Sequence, residues 1–252
     1  MLDEKRLRAV LGERPFRWYR ETGSTNAEAL DWLRQGAATG SLVLADEQSQ
    51  GRGRLGRGWQ TPAGAALALS MVLRPLPQDL PRLTMAGALA IAAMAEDAGA
   101  TEVSLKWPND VQVGERKLAG VLSEALWRGD RLVGAVLGMG VNVRVDFRGS
   151  ALEGRAISLE TACGHRLDRS RLLSLVVKHA DFWLEQLDGD RLHCAWRQRV
   201  KLPARPVEVN GLRGMAEALG RDGALLLRAE TGRLHKVYSG EMLPRPQVSD
   251  GH

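Results

Sequence analysis

Apolar and polar positions alternate along this chain with two different periods. Leu30 and Leu33 follow Thr25-Asn26-Ala27-Glu28 at helical spacing, and the Thr-x-x-Glu string reads as a capping box, which predicts a helix over 25–35. Ser41 to Ala45 is a short apolar run, the pattern of a buried strand. Residues 49–58 are rich in Gly and Arg and read as a loop. A strand is predicted from Ala65 to Leu73; Pro75, Pro77 and Pro81 then break the pattern. An Ala-rich helix is expected from Leu83 to Asp97, and a strand from Glu102 to Lys106 that stops before Pro108. Val111 to Val145 reads as hairpins with turns at Gly114-Glu115 and Gly129-Asp130. Asp168 is placed to cap a second long helix, whose apolar stripe runs through Leu173, Val176, Val177, Ala180, Trp183, Leu184 and Leu187.

Beyond Pro203 and Pro206 the text changes to short strands between glycine turns, a small all-β module of about 40 residues that should dock on the larger part. The pattern as a whole predicts an α+β fold, a mixed and mostly antiparallel sheet with flanking helices. The expected division is 1–202, 203–246 and a tail of 247–252.

Composition narrows the class. The chain has 252 residues, 44% of them hydrophobic and 26% charged, which excludes collagen-like, disordered and disulfide-stapled proteins. The net charge is +5, and six of the 35 basic residues are lysine while the rest are arginine. Arginine excess points to phosphate or nucleic acid, or to a simple compositional bias. Cys163 and Cys194 are too few for a disulfide framework or a zinc site and read as buried structural thiols in a reducing compartment. The acid-bearing N-terminus shows no secretory signal, and no uncharged apolar run reaches the ~18 residues of a membrane span, so a cytoplasmic protein without membrane contact is expected.

Four segments carry candidate chemistry. Gly51-Arg52-Gly53-Arg54-Leu55-Gly56-Arg57-Gly58-Trp59 matches the G-x-G-x-x-G string of dinucleotide folds, but Trp59-Gln60-Thr61-Pro62 is no helix start, and that fingerprint requires one. Glycines that admit an anion and three forked guanidinium donors suit a clamped polyphosphate better; a solvated basic loop or an Arg-Gly nucleic-acid segment are the rival readings. Lys106-Trp107-Pro108-Asn109-Asp110, with Lys117 and Gly120 on the returning strand, offers an acid for Mg²⁺ and an amine for phosphate charge, or merely a turn. Gly138-Met139-Gly140-Val141-Asn142 marks a close approach to a strand, or a β-bulge. Ser24, Thr25 and Asn26 stand before a helix, where hydroxyls cap it or meet a small polar ligand.

Taken in order, Thr22 to Asn26, Gln48, the Arg-Gly loop, Lys106 to Asp110, Lys117 to Gly120, and Gly138 to Asn142 resemble biotin–protein ligases over about residues 16–145. The glycine-rich C-terminal part is similar, more weakly, to that family's small SH3-like domain, and the catalytic part to its class II synthetase-like domain. The resemblance implies ATP-dependent formation of biotinyl-5′-AMP and transfer of biotin to one lysine of a biotin carboxyl carrier protein. It implies Ser24, Thr25, Asn26 and Gln48 at the ureido head of biotin, with Arg52, Gly53, Arg54, Lys117, Gly120 and Gly140 also around biotin. It implies Arg52, Arg54, Arg57, Trp59, Asn109, Lys117 and Asn142 around ATP, with Trp59 packed on adenine. Arg52, Arg54, Lys117 and Asp110 are its catalytic set, and Asp110 also its candidate for Mg²⁺ or for the incoming lysine.

Only about 15 residues precede Phe16, so no winged helix-turn-helix of roughly 60 residues and no sequence-specific DNA binding are expected. Family members are often homodimers through the central sheet, an expectation that no single residue here carries. The Arg-Arg-x-Ser-Gly-Gly-Gly string of lipoate–protein ligases is not in the sequence.

Overall fold

The computed structural model describes residues 2–244; the expected tail 247–252 lies outside them. In chain order the elements are α1 (Glu4–Leu11), β1 (Phe16–Thr22), α2 (Thr25–Arg34), β2 (Leu42–Gln48), β3 (Ala66–Leu73), α3 (Leu80–Asp97), β4 (Val103–Lys106), β5 (Asp110–Val113), β6 (Arg116–Arg128) and β7 (Arg131–Asn142). Then follow α4 (Leu159–Cys163), α5 (Arg169–Leu184), α6 (Asp190–Arg199) and β8 (Val207–Val209), β9 (Leu212–Leu219), β10 (Leu225–Ala229), β11 (Leu234–Val237) and β12 (Leu243–Pro244).

Seven strands form one sheet in the order β1-β2-β3-β7-β6-β5-β4. Only β1 and β2 run parallel, because α2 crosses between them; the other pairs are antiparallel. The expected mixed, mostly antiparallel sheet is therefore what forms. A separate five-stranded antiparallel sheet, β11-β10-β9-β8-β12, follows at the C-terminal end.

Helices cover the large sheet unequally, and that creates the site. On one face α3 lies with nearly its whole circumference buried, Leu83 to Ala95, against the sheet and α5. A Cβ on Gly87 would stand 2.9 Å from Val121 Cγ1 and 3.1 Å from Leu137 Cδ1, so glycine lets this helix sit close to the strands. On the other face α2 packs Ala29 and Leu33 on Val43, Val72 and Val136. This helix is only ten residues long, and its N-terminus stops over β3 and β7. The strand surface beyond it carries Ala68, Gly140 and Gly120 in one register row and Ser70, Gly138 and Leu122 in the next.

Several expectations need correction. Ser24, not Thr25, is the N-cap of α2, and its side chain makes no capping bond. Glu28 accepts a hydrogen bond from Thr22 Oγ1 at 2.9 Å instead of closing a capping box. α3 begins at Leu80, since Pro81 fits its first turn, where no backbone donor is needed. Leu187 lies beyond the end of α5, although Asp168 caps that helix as expected, accepting from Ser170 N at 2.9 Å. Cys194 is exposed and Cys163 half-buried, so neither is a buried thiol. β1, α1, α4 and α6 have no counterpart in the sequence pattern. No helix of the described residues is long and apolar enough to cross a membrane.

Candidate active site

Every candidate site residue named from the sequence lines one cavity of about 870 Å³ above the bare strand surface. Its walls are the N-terminus of α2, the Arg-Gly loop, the β4–β5 turn, the segment around Phe147 to Ala156, and Gly240-Glu241 from the C-terminal module.

One end is a buried polar cluster. Gln48 Oε1, at the end of β2, accepts from Thr25 N at 2.8 Å and from Thr25 Oγ1 at 3.1 Å, while Gln48 Nε2 donates to Thr61 Oγ1 at 2.9 Å. Ser70 Oγ lies 2.8 Å from Thr25 Oγ1 and donates to Asn26 Oδ1 at 2.6 Å. Ser24, Thr25, Asn26, Thr61 and Ser70 are all buried, and the mutual bonds of the last four with Gln48 hold their positions against the cost of desolvation. A Cβ on Gly138 would lie 2.1 Å from Asn26 Oδ1. The strand glycine thus accommodates the Asn26 amide; the β6–β7 bulge is elsewhere, between Leu126 and Trp127.

The Arg-Gly loop closes on itself. Trp59 N donates to Gly51 O at 2.8 Å, Gly53 N to Arg57 O at 2.7 Å, and Arg57 N to Arg54 O at 3.2 Å around a tight turn at Arg54–Gly56. A Cβ on Gly51 would stand 2.3 Å from Trp59 O, so this glycine serves the loop's own closure. Its indole reaches back over the floor: a Cβ on Gly140 would lie 2.6 Å from Trp59 Nε1, and one on Gly120 would lie 3.5 Å from Trp59 Cζ3. Trp59 Nε1 is buried and has no hydrogen-bond partner among the described residues.

Four cations meet in the cleft, each with a partner of its own. Lys117 Nζ is 2.7 Å from Asp110 Oδ1 and 5.6 Å from the centre of the Trp59 ring, within cation–π range. Its backbone is gripped on both sides, with Lys117 N donating to Arg155 O at 2.9 Å and Ile157 N to Lys117 O at 3.0 Å. Arg54 Nη1 donates to Asn109 Oδ1 at 3.3 Å. Burial lowers the Arg54 pKa, Asp110 opposes that shift and Arg57 adds to it. Asn109 is itself fixed by donating from Nδ2 to Val121 O at 2.8 Å, and Asn142 Nδ2 donates to Lys117 O at 3.4 Å. Arg57 pairs with Glu241, and that hydrogen bond is the main cause holding the Glu241 carboxyl below its ordinary range. Arg52 Nη2 lies 3.7 Å from Glu124 Oε1.

Beside Asn109, Trp107 is 2% exposed and donates from Nε1 to Gly223 O at 2.9 Å, joining the site to the C-terminal module. Asp110 is the carboxylate nearest Lys117, and no group of three or more His, Cys, Asp or Glu forms a metal cage among the described residues. Ser70, Thr61, Glu124 and the Phe147–Ala156 segment were not legible as site residues. The hint for Ser70 was a lone hydroxyl in the apolar run Ala66–Leu73, and for Glu241 the turn string Ser239-Gly240-Glu241.

Residues 18–142 match the Biotin/lipoate A/B protein ligase family. Over 226 residues the chain is 35% identical to the biotin–[acetyl-CoA-carboxylase] ligase of Paracoccus denitrificans, covering 84% of this chain and 93% of that one. The chain belongs to the biotin–protein ligase family. Another relative in it, the bifunctional ligase/repressor BirA of Bacillus subtilis, is 30% identical over 87% of this chain and 70% of its own. A solved biotin protein ligase from Aquifex aeolicus, in complex with biotin and ATP, superposes with a TM-score of 0.78 at 28% identity, over 92% of this chain and 98% of that one. The ligase fold thus extends over the catalytic part and most of the C-terminal module.

Proposed function

We propose that the cavity activates biotin with ATP and passes biotin to a lysine of a biotin carboxyl carrier protein. The observation that carries this reading is the meeting of a buried polar pocket with Arg52, Arg54, Arg57 and Lys117 in one cleft. Biotin has a polar ureido head and an anionic tail, and its co-substrate is a triphosphate.

The ureido head fits Ser24, Thr25, Asn26 and Gln48, of which the last three are already oriented by hydrogen bonds. Gly53, Gly120 and Gly140 keep the walls low for the bicyclic ring and valeryl chain. In the first step the biotin carboxylate attacks the α-phosphorus; a C–O–P linkage forms and the bond to pyrophosphate breaks. Two anions must approach one another, so the Arg54 and Lys117 charges next to Asn109 and Asp110 supply the stabilisation that grows in the transition state. Arg52 and Arg57 take the outer phosphates. Trp59 is assigned to stack on adenine and Asn142 to hydrogen-bond it, which requires the indole to rise from Gly140. In the second step the carrier lysine attacks the acyl carbon, AMP leaves, and Asp110 is placed to receive the incoming amine.

Asp110 would be the protein carboxylate to hold Mg²⁺, which when bound would neutralise phosphate charge. The loop that bears the arginines also keeps water from the mixed anhydride.

The test adds biotin, MgATP and a carrier domain to the purified chain. Biotin-dependent exchange of pyrophosphate into ATP and one biotinylated lysine are expected. Activity with lipoate and none with biotin would replace this reading.

A further inference from the structure

Glu124 belongs to none of the sequence motifs. It lies on β6 two residues beyond Leu122 and four beyond Gly120, on the same strand face, but behind the cavity wall. Its two oxygens serve different parts of the site. Oε2 accepts from Asn26 Nδ2 at 2.7 Å, and Oε1 faces Arg52 Nη2 at 3.7 Å.

The two contacts are unequal in strength. Asn26 is buried, donates also to Leu122 O at 3.2 Å, accepts from Ser70 and lies tight over Gly138, so its amide cannot turn. A carboxylate can only accept from it, and such a charge-assisted bond is among the stronger kinds. Arg52 is half exposed, with a side-chain exposure of 50%, and its contact is an ion pair without an aligned hydrogen bond. That contact is weak while water screens it and strengthens when ligand excludes the water.

We propose that Glu124 is a positioning residue that couples the ureido pocket to the Arg-Gly loop, holding Asn26 on one oxygen and drawing Arg52 over the bound ligand with the other. This rests on the biotin reading above. Arg54 ties the loop to the β4–β5 turn and Arg57 ties it to the C-terminal module. Glu124 supplies the third arginine tie, the one that leads through Asn26 to the ureido pocket.

Two substitutions in the full chain separate the functions. Glu124→Gln keeps an acceptor for Asn26 and removes the charge that attracts Arg52; Glu124→Ala removes both. The readouts are KM for biotin in pyrophosphate exchange and the lifetime of enzyme-held biotinyl-5′-AMP without carrier. Glu124→Gln should leave KM within about twofold while the intermediate escapes up to about fivefold faster, the range of a partly exposed ion pair. Glu124→Ala should add a rise of about tenfold in KM, as for a lost bond to a charged group. Adding Glu124→Gln to Arg52→Gln should change the lifetime no further.

An unchanged lifetime in Glu124→Gln would overturn the proposal. So would a uniform loss in every step together with a lowered Tm, which is the mark of a merely structural residue. If the wild-type chain makes no biotinyl-5′-AMP, it is the biotin reading that fails. If Glu124→Ala does not fold, the Glu124→Gln lifetime decides alone.

Discussion

Arg57 in the Arg-Gly loop and Glu241 in the C-terminal module form an ion pair across 184 residues of sequence. The C-terminal module therefore touches the Arg-Gly loop. Glu241→Gln should loosen the empty loop. Proteolysis within residues 51–58 should quicken by no more than about fivefold without ligand, because the pair is exposed. With biotin and ATP bound, the two proteins should be cleaved equally slowly.

The same pair sets a pH dependence. Arg57 holds the Glu241 pKa below the ordinary glutamate value of 4.5. A depressed carboxyl contributes above its unfolded pKa and loses that contribution as pH falls through its folded one. Loop protection in the ligand-free protein should accordingly be flat above about pH 5 and decline only below 4.5. Limited digestion with an acid-active protease over that range would measure it, and Glu241→Gln should abolish the decline.

Lys117→Ala and Arg54→Ala should each slow adenylation by about 10²–10³-fold, the usual effect of removing one donor from developing charge. Lys117→Ala also leaves Asp110 without its 2.7 Å partner. Pyrophosphate exchange at saturating biotin would show both losses.

The floor glycines should respond differently to one added methyl. At Gly138 the new carbon meets the immobile Asn26 amide, so Gly138→Ala should raise KM for biotin by about 100-fold as several buried bonds are lost. At Gly140 it meets the Trp59 indole, which can lift away. Gly140→Ala should raise KM for biotin less than Gly138→Ala does, because one displaced side chain costs far less than a broken buried network. Its Trp emission should shift to the red.

Arg169 and Asp46 make a buried ion pair, Nη1 to Oδ1 at 2.8 Å, with side chains only 4% and 6% exposed. Removing either partner strands a charge, so Arg169→Met or Asp46→Asn should cost about 3–5 kcal/mol. Arg169→Met combined with Asp46→Leu should lose less than either alone, and urea unfolding would rank the three.

Much of this was legible because local and global signals agreed. The paired hairpins of β5, β6 and β7 announced themselves by turn glycines at 114 and 129, and α5 by its Asp168 cap. The candidate ligand contacts were legible because motif residues carry them. The rest depended on tertiary placement. Glu28 looks like half of a capping box and is taken instead by Thr22. Gly51 looks like an anion contact, but the nearest atom is the loop's own Trp59 carbonyl. Glu124 and Glu241 become relevant only once β6 and the second sheet are folded against the loop, and no spacing in the chain encodes that meeting. α6 is amphipathic on so few residues, Leu192 and Trp196, that periodicity did not register it.

The bond from Trp107 to the Gly223 carbonyl bears on how the molecule could be shortened. Residue 202, just ahead of the second sheet, looks like a natural place to cut. Cutting there would strip the Trp107 N–H of its acceptor, two residues from Asn109. Such a fragment would carry an unpaired indole donor at the mouth of its own pocket. Anyone building a minimal biotin-labelling tool from this scaffold should trim elsewhere, or first refill that socket.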